Sequence, residues 1–331
     1  MSTYPCISSF GYFDSPEFII RALHILTTIS TPIYFLGLYC ILFKTPEVMK
    51  SVKLYMLNLH LWIMCLDYYA CILTVPLLMV PELAGIPYGV LRYLGVPTLI
   101  QALFGVVVIV FMFIANIIIY ENRFFILCEF RGKSTWAFAR RIWLIGQHAV
   151  ILVCLIPDYF LVPDQETAKQ KVFQNLPCLP DYIYQGPVFV LALDLTYHLS
   201  AAIPNFTVFI LELVFFISML ILNGKKQLES KTISQKTYQM HKQFLIALVT
   251  QMTIPLFSIM VPVAYGYLTV LLNYYNQALI NWVVFIVMTH GALSTVVMIV
   301  VHKPYRLAVK EMIRGKENKV QRKATVLSVQ L

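Results

Sequence analysis

Charge is what this 331-residue sequence has least of. Only 12% of its residues are Asp, Glu, Lys or Arg, against about 25% in an ordinary soluble domain. From Gln243 to His302 there are 60 consecutive positions with none. A run of that length excludes a water-facing surface. It is long enough for two lipid crossings of about 20 residues each, parted at Asn273-Tyr274-Tyr275-Asn276-Gln277. The period-two alternation of a membrane β-barrel is also missing, so the spans are expected to be helices. HExxH, GxSG and a Gly-x-Gly-Asp with a partner Tyr-Asp are absent, which leaves metalloprotease, serine-hydrolase and intramembrane aspartyl-protease chemistry without reacting groups. The histidines in or near apolar stretches, His24, His60, His148, His198 and His290, show no i, i+4 pair. No metal, cofactor or catalytic activity is expected. The first 20 residues lack a basic n-region and carry Asp14, Pro16 and Glu17, so no cleavable signal peptide is expected and the first span would serve as its own insertion signal.

What is present is apolar: 59% of residues. Spanning segments are read at about 22–43, 54–80, 96–120, 142–162, 199–222, 243–268 and 278–301, giving an all-α bundle of seven membrane helices in one domain, with a tail over 302–331. Of the 25 Lys and Arg, 21 fall in the segments 44–53, 121–141, 223–242 and the tail. Only Arg21, Arg92, Lys169 and Lys171 fall on the other side, together with seven acids. Because positive loops stay in the cytoplasm, the N-terminus is expected outside and the C-terminus inside. The basic balance then points to anionic inner-leaflet lipids and an acidic cytosolic partner, and not to nucleic acid.

Cys6 and Cys178 are the two cysteines expected outside, and a bridge between them is the economical reading, with two unpaired thiols as the alternative. The one glycosylation sequon, Asn205-Phe206-Thr207, falls at the start of the fifth span, too deep for modification. Asp67 and Glu212 lie inside spans, where ionisable groups are expensive and mark functional candidates. Asp67 reads either as a sodium or proton site that switches between states or as a hydrogen-bond partner of Asn116 or Asn281. Glu212 reads as a partner of Gln251. Pro255 and Pro262 predict a kink in the sixth helix. Broken-helix signals are confined to that helix.

At the inner end of the third span stands Glu121-Asn122-Arg123, either a releasable charge pair that locks helices together or simply the polar end of the helix. After the seventh span, Pro304 can open a short amphipathic helix over 304–314. Its apolar face would be Tyr305, Ala308, Val309, Met312 and Ile313, and its basic face Arg306, Lys310 and Arg314. Several stretches, taken together, resemble the nematode serpentine chemoreceptors of class H: Ser15-Pro16-Glu17-Phe18, Ile41-Leu42-Phe43-Lys44-Thr45-Pro46, Met56-Leu57-Asn58-Leu59-His60, Glu121-Asn122-Arg123-Phe124, Leu176-Pro177-Cys178-Leu179-Pro180 and His302-Lys303-Pro304-Tyr305-Arg306. The match to rhodopsin-like receptors is weaker, since Glu-Asn-Arg stands in place of Asp-Arg-Tyr and the seventh span has no Asn-Pro-x-x-Tyr.

The resemblance implies a G-protein-coupled chemosensory receptor of the sensory-neuron membrane. It would bind a small-molecule odorant outside and open a cytoplasmic cleft to a heterotrimeric G protein. By depth, the pocket is expected to draw on Gln101, Phe104, Tyr197, His198, Tyr265, Asn281, Trp282 and Phe285. The G-protein-facing residues are expected to be Glu121, Asn122, Arg123, Arg140, Arg141, Lys225, Lys226, Lys242, Tyr305 and Arg306. The competing reading is a ligand-gated chemosensory channel, which would need the opposite topology.

Overall fold

A computed structural model describes residues 11–176, 179–272 and 274–314. Cys6 and Cys178, and so the expected bridge, lie outside them. Among the described residues there are seven helices long and apolar enough to cross a membrane. They are α1 (Pro16–Phe43), α2 (Lys50–Thr74), α3 (Thr98–Leu127), α4 (Lys133–Phe160), α5 (Thr196–Glu229), α6 (Gln235–Leu272) and α7 (Gln277–Val301). The helices start where local chemistry directs. Ser15 caps α1, accepting from the Phe18 N–H at 3.2 Å with Pro16 at the first helical position, and Asn276 caps α7 through the Leu279 N–H at 3.0 Å. Several helices outrun their apolar runs. α4 begins at Lys133, α5 continues to Glu229 and α6 begins at Gln235, since polar residues at a water-facing end carry on the hydrogen-bond ladder at no desolvation cost.

The expected helix over 54–80 is too long. α2 closes in a wide turn over Tyr69–Thr74, Val75 takes a left-handed conformation (φ 43°), and Pro76 starts a strand. The ring of Pro76 disfavours helical geometry at the residue before it. β1 (Pro76–Leu78), β2 (Leu83–Pro87) and β3 (Phe189–Ala192) form an antiparallel sheet in that order, with Leu77 opposite Ile86 and Ala84 opposite Val190. A helix over Gln165–Asn175 closes the free edge of β3. The Gln165 side-chain amide donates to the Val190 carbonyl at 3.0 Å and accepts from its N–H at 2.9 Å, taking the place of a further strand. Leu77, Ile86, Val190, Ala168 and Val172 share a core with Ile19 and Leu23 of α1, so the sheet end is packed onto the bundle.

The larger core runs through the bundle from Tyr34 and Ile63 to Met298 and Tyr305. Gly37 brings α1 close to its neighbours: a Cβ there would lie 2.6 Å from Thr295 Cγ2 on α7 and 2.8 Å from His60 Cε1 on α2. α4 stands apart. Only 6% of its most apolar stretch is buried, against 50% in α2 and α3. α6 is continuous through Pro255 and Pro262. The interruption lies in α7, where Thr289 separates Gln277–Met288 from His290–Val301. There the Thr289 hydroxyl donates back to the Ile286 carbonyl at 2.6 Å, a local bond that competes with the helical ladder. Asn205 of the sequon sits within α5, its amide donating to the Ala201 carbonyl at 2.8 Å.

Candidate functional site

At the end of the bundle opposite the sheet, α3, α5, α6 and the end of α7 enclose a cavity of about 790 Å³. Arg123 forms its floor and is 7% exposed. Its guanidinium lies 4.0 Å over the ring of Phe244 on α6, so one side chain ties α3 to α6. Phe244 in turn meets His302 (ring centroids 5.4 Å apart), and His302 meets Tyr305 (5.5 Å). The rim carries Lys225, Lys236, Lys242 and Lys303. His302 is buried and beside Arg123, and both circumstances push its pKa down to about 4. The imidazole is therefore neutral at the bottom of a cationic cup.

Glu121 does not face this cavity. It is 2% exposed and turned toward α4, where it accepts from Arg140 at 2.6 Å and from the Trp136 indole at 2.9 Å. The helix-locking pair is therefore Glu121 with Arg140, not with Arg123, because helical residues two apart point about 200° away from each other. Asn122 donates to the Ser51 carbonyl at 3.2 Å and fastens α3 to the start of α2. Tyr305 is fully buried, its hydroxyl 2.8 Å from that of Thr45, so it anchors the helix over 303–314 and does not line the mouth. Arg306 is exposed and donates to the Val300 carbonyl at 3.0 Å. Arg141 and Lys226 are exposed and do not line the cavity, Arg141 lying on α4 beside Arg140 and Glu121. Asn223 and Gln227 of α5 both donate to the Leu127 carbonyl, at 3.0 and 2.8 Å, closing the end of α3.

Glu212 pairs with α4 and not with Gln251 on α6: the Trp143 indole donates to it at 2.9 Å and Gln147 at 2.6 Å. Trp136, Arg140, Trp143 and Gln147 lie on one helical face at spacings of four, three and four. That stripe of donors joins α4 to the carboxylates of α3 and α5. Asp67 bonds neither Asn116, which donates to the Met112 carbonyl at 3.1 Å, nor Asn281. It is fully buried, accepts from the Cys71 thiol at 3.6 Å, and has Tyr34 of α1 as its other polar neighbour.

At the sheet end the expected pocket residues fall into three groups. Gln101 is buried in α3, donating to the Val96 carbonyl at 2.9 Å and taking the Tyr69 hydroxyl on its own carbonyl. Phe104 packs on Tyr69 with ring centroids 5.1 Å apart. Between α4 and α5, Tyr197 donates to the Cys154 carbonyl at 2.7 Å and His198 sits 3.2 Å from Asp158. The third group holds down the segment before α1. Asn281 donates to the Phe13 carbonyl at 2.9 Å, and Trp282 packs on Phe13, Phe18 and Phe285. Asp14 accepts from the Ala278 N–H at 3.1 Å, while Tyr182 donates to the Asp14 carbonyl at 2.6 Å. Tyr265 reaches the Asn276 carbonyl at 3.3 Å.

Residues 14–315 match the family described as Serpentine type 7TM GPCR chemoreceptor Srh. This chain belongs to the Srh family. Its sequence is 24% identical over 313 residues, 93% of this chain and 89% of the other, to Serpentine receptor class H-72 of Caenorhabditis elegans. The Srh match begins at Asp14, the residue that pins the first turn onto α7, and ends at Gly315, just past the described end of the surface helix. Sequence reasoning about this Srh receptor missed the α4 donor stripe and the role of Phe244. The stripe was detectable as indole and amide donors recurring at helical spacing within an apolar span. The Arg123–Phe244 contact joins residues 121 positions apart and leaves no local sign.

Proposed function

We propose that this chemosensory receptor of the multi-pass membrane class lies in the sensory-neuron plasma membrane with the sheet end outside and the basic end in the cytoplasm. A small organic molecule binds among the helices at the sheet end and a heterotrimeric G protein binds in the basic cavity. The cavity floored by Arg123 and rimmed by Lys225 and Lys242 carries this reading, together with membership of the family. The distribution of Lys and Arg supports the orientation. The basic face of the helix over 303–314, with Arg306, Lys310 and Arg314, is suited to anionic inner-leaflet lipids.

The coupling element is α7. Its outer end holds Asp14 and the Phe13 carbonyl, and it leads at its inner end to His302, which packs on Phe244 beneath Arg123. An odorant that prefers an altered seating of the first turn on α7 favours a state in which Arg123 leaves Phe244 and α6 swings out. It shifts that equilibrium by no more than its difference in affinity for the two states. The test is whole-cell recording of expressing cells challenged with odorant pools, with and without a GDP analogue that blocks G-protein cycling. A response abolished by the analogue, and lost in Arg123→Ala at equal surface expression, is expected. A current that persists with the analogue present, or an unimpaired Arg123→Ala, would sink the reading.

A further inference from the structure

We propose that, when no G protein is bound, the basic cavity holds the phosphorylated headgroup of an inner-leaflet inositol phospholipid, with an acyl chain in the seam between α5 and α6. The inference rests on the orientation proposed above and is independent of G-protein coupling.

Charge is the first support. Arg123, Lys225, Lys236, Lys242 and Lys303 line the cavity, and among the described residues no Asp or Glu lines it with them. Five cations converging around a partly enclosed space repel one another, and an anion carrying about −1.5 to −2 per phosphomonoester relieves that. Unmet hydrogen bonding is the second. Arg123 and His302 line the cavity, and among the described residues neither Arg123 Nε nor His302 Nε2, both buried, has a hydrogen-bond partner. Buried polar groups are seldom left unpaired, and phosphate oxygens supply several acceptors to an arginine at once.

Shape selects a lipid over a soluble anion. The cavity lining between its cations includes buried Leu220 and Leu248 and, on α5 and α6, Ile221 and Ile246, which are 42% and 51% exposed. A cup that joins cations to exposed apolar side chains on α5 and α6 fits an amphiphile with its head inward and a chain in the seam. Basic pockets between helices at the cytoplasmic side take phosphoinositide headgroups by the same physics. The occupant would have to leave before a G protein could enter.

The experiment is native mass spectrometry of the full chain, without any G protein, titrated with diacyl phosphatidylinositol bisphosphate and, separately, with phosphatidylcholine. One saturable phosphoinositide is expected. Lys236→Gln combined with Lys242→Gln, both exposed and so tolerated by the fold, should weaken it about thirtyfold for the two headgroup cations lost. Ile246→Trp, which fills the seam, should weaken the diacyl lipid while leaving soluble inositol trisphosphate unaffected. Arg306→Gln with Lys310→Gln on the surface helix should leave the saturable site intact. Three results would overturn the proposal. Binding lost only in the surface-helix variant would place the lipid on that helix. Equal competition by inositol trisphosphate, with no effect of Ile246→Trp, would mean a site for free phosphate. No saturable phosphoinositide, or phosphatidylcholine bound equally well, would leave the cavity without this occupant. Failure of the odorant recording with an intact lipid site would remove G-protein coupling and leave this inference standing.

Discussion

Replacing Arg140 by Met should cost more stability than replacing both Arg140 and Glu121. Glu121 is 2% exposed and its carboxylate has two donors, Arg140 at 2.6 Å and the Trp136 indole at 2.9 Å. Arg140→Met leaves a buried charge with one neutral donor. Breaking a buried pair from one side costs about 3–5 kcal/mol, and because the Arg140 side chain is 21% exposed and water can reach its place, about 2–3 kcal/mol is expected here. Trp136→Phe removes a single hydrogen bond, for which membrane-protein cycles average about 0.6 kcal/mol. Adding Glu121→Gln to Arg140→Met removes the stranded charge and should recover about 1–2 kcal/mol. The assay is thermal unfolding, in one detergent, of five purified proteins: native, Arg140→Met, Glu121→Gln, their double variant and Trp136→Phe. Extending the usual unfolding entropy per residue to this length gives about 1.5 °C per kcal/mol, so Arg140→Met should melt about 3–4 °C low and the double variant should regain about half of that. The reasoning fails if Arg140→Met costs no more than Trp136→Phe, or if the two substitutions simply add, since independent sites add and an ion pair does not. The effect should be concentrated in α4. With only 6% of its most apolar stretch buried, that helix has little apolar packing to replace a lost carboxylate contact.

Three further outcomes are expected. Gly37→Ala places a methyl group about 2.6 Å from Thr295 Cγ2 and should destabilise the protein by about 1–3 kcal/mol, read as a lowered melting temperature, whereas Gly146→Ala, on an open face of α4 where no atom lies within 4 Å, should not. Asn281→Ala removes the hydrogen bond to the Phe13 carbonyl and should speed amide exchange across residues 11–15 without altering α3 or α5, at a cost of about 1 kcal/mol. His302 supplies a pH dependence. Its folded pKa is depressed to about 4 from the ordinary 6.5, so the fold favours the neutral ring, and stability is full above about pH 6.5 and falls as the pH drops from there toward 4. The melting temperature of the native protein should decline from pH 7 to pH 5, and His302→Asn should flatten the decline over that window.

Composition determined more of this protein than any motif did. Hydrocarbon admits no unpaired backbone groups and few charges, so a 60-residue uncharged run that holds two spans and five more apolar stretches allow little besides seven helices. The segregation of Lys and Arg to alternate loops needs no coordinates to be read. The amphipathic helix after Pro304 was legible for the same reason, because its periodicity is local. What required the tertiary structure was every pairing between elements. Glu121 has Arg123 two residues away in sequence and Arg140 against it in space, because helical rotation turns neighbours apart and helix packing brings distant residues together. Glu212 and Asp67 had several chemically suitable partners, and only the seating of α4 against α5, and of α1 against α2, selected Trp143 with Gln147 and Cys71 with Tyr34. The three-stranded sheet was hidden because its strands are three to five residues long and partly inside apolar stretches read as helix. Their extended conformation comes from Pro76 and from pairing with a strand about 100 residues away. The cationic cavity is likewise a product of packing: its lysines were countable along the chain, but their convergence over Arg123 exists only where α3, α5, α6 and α7 meet.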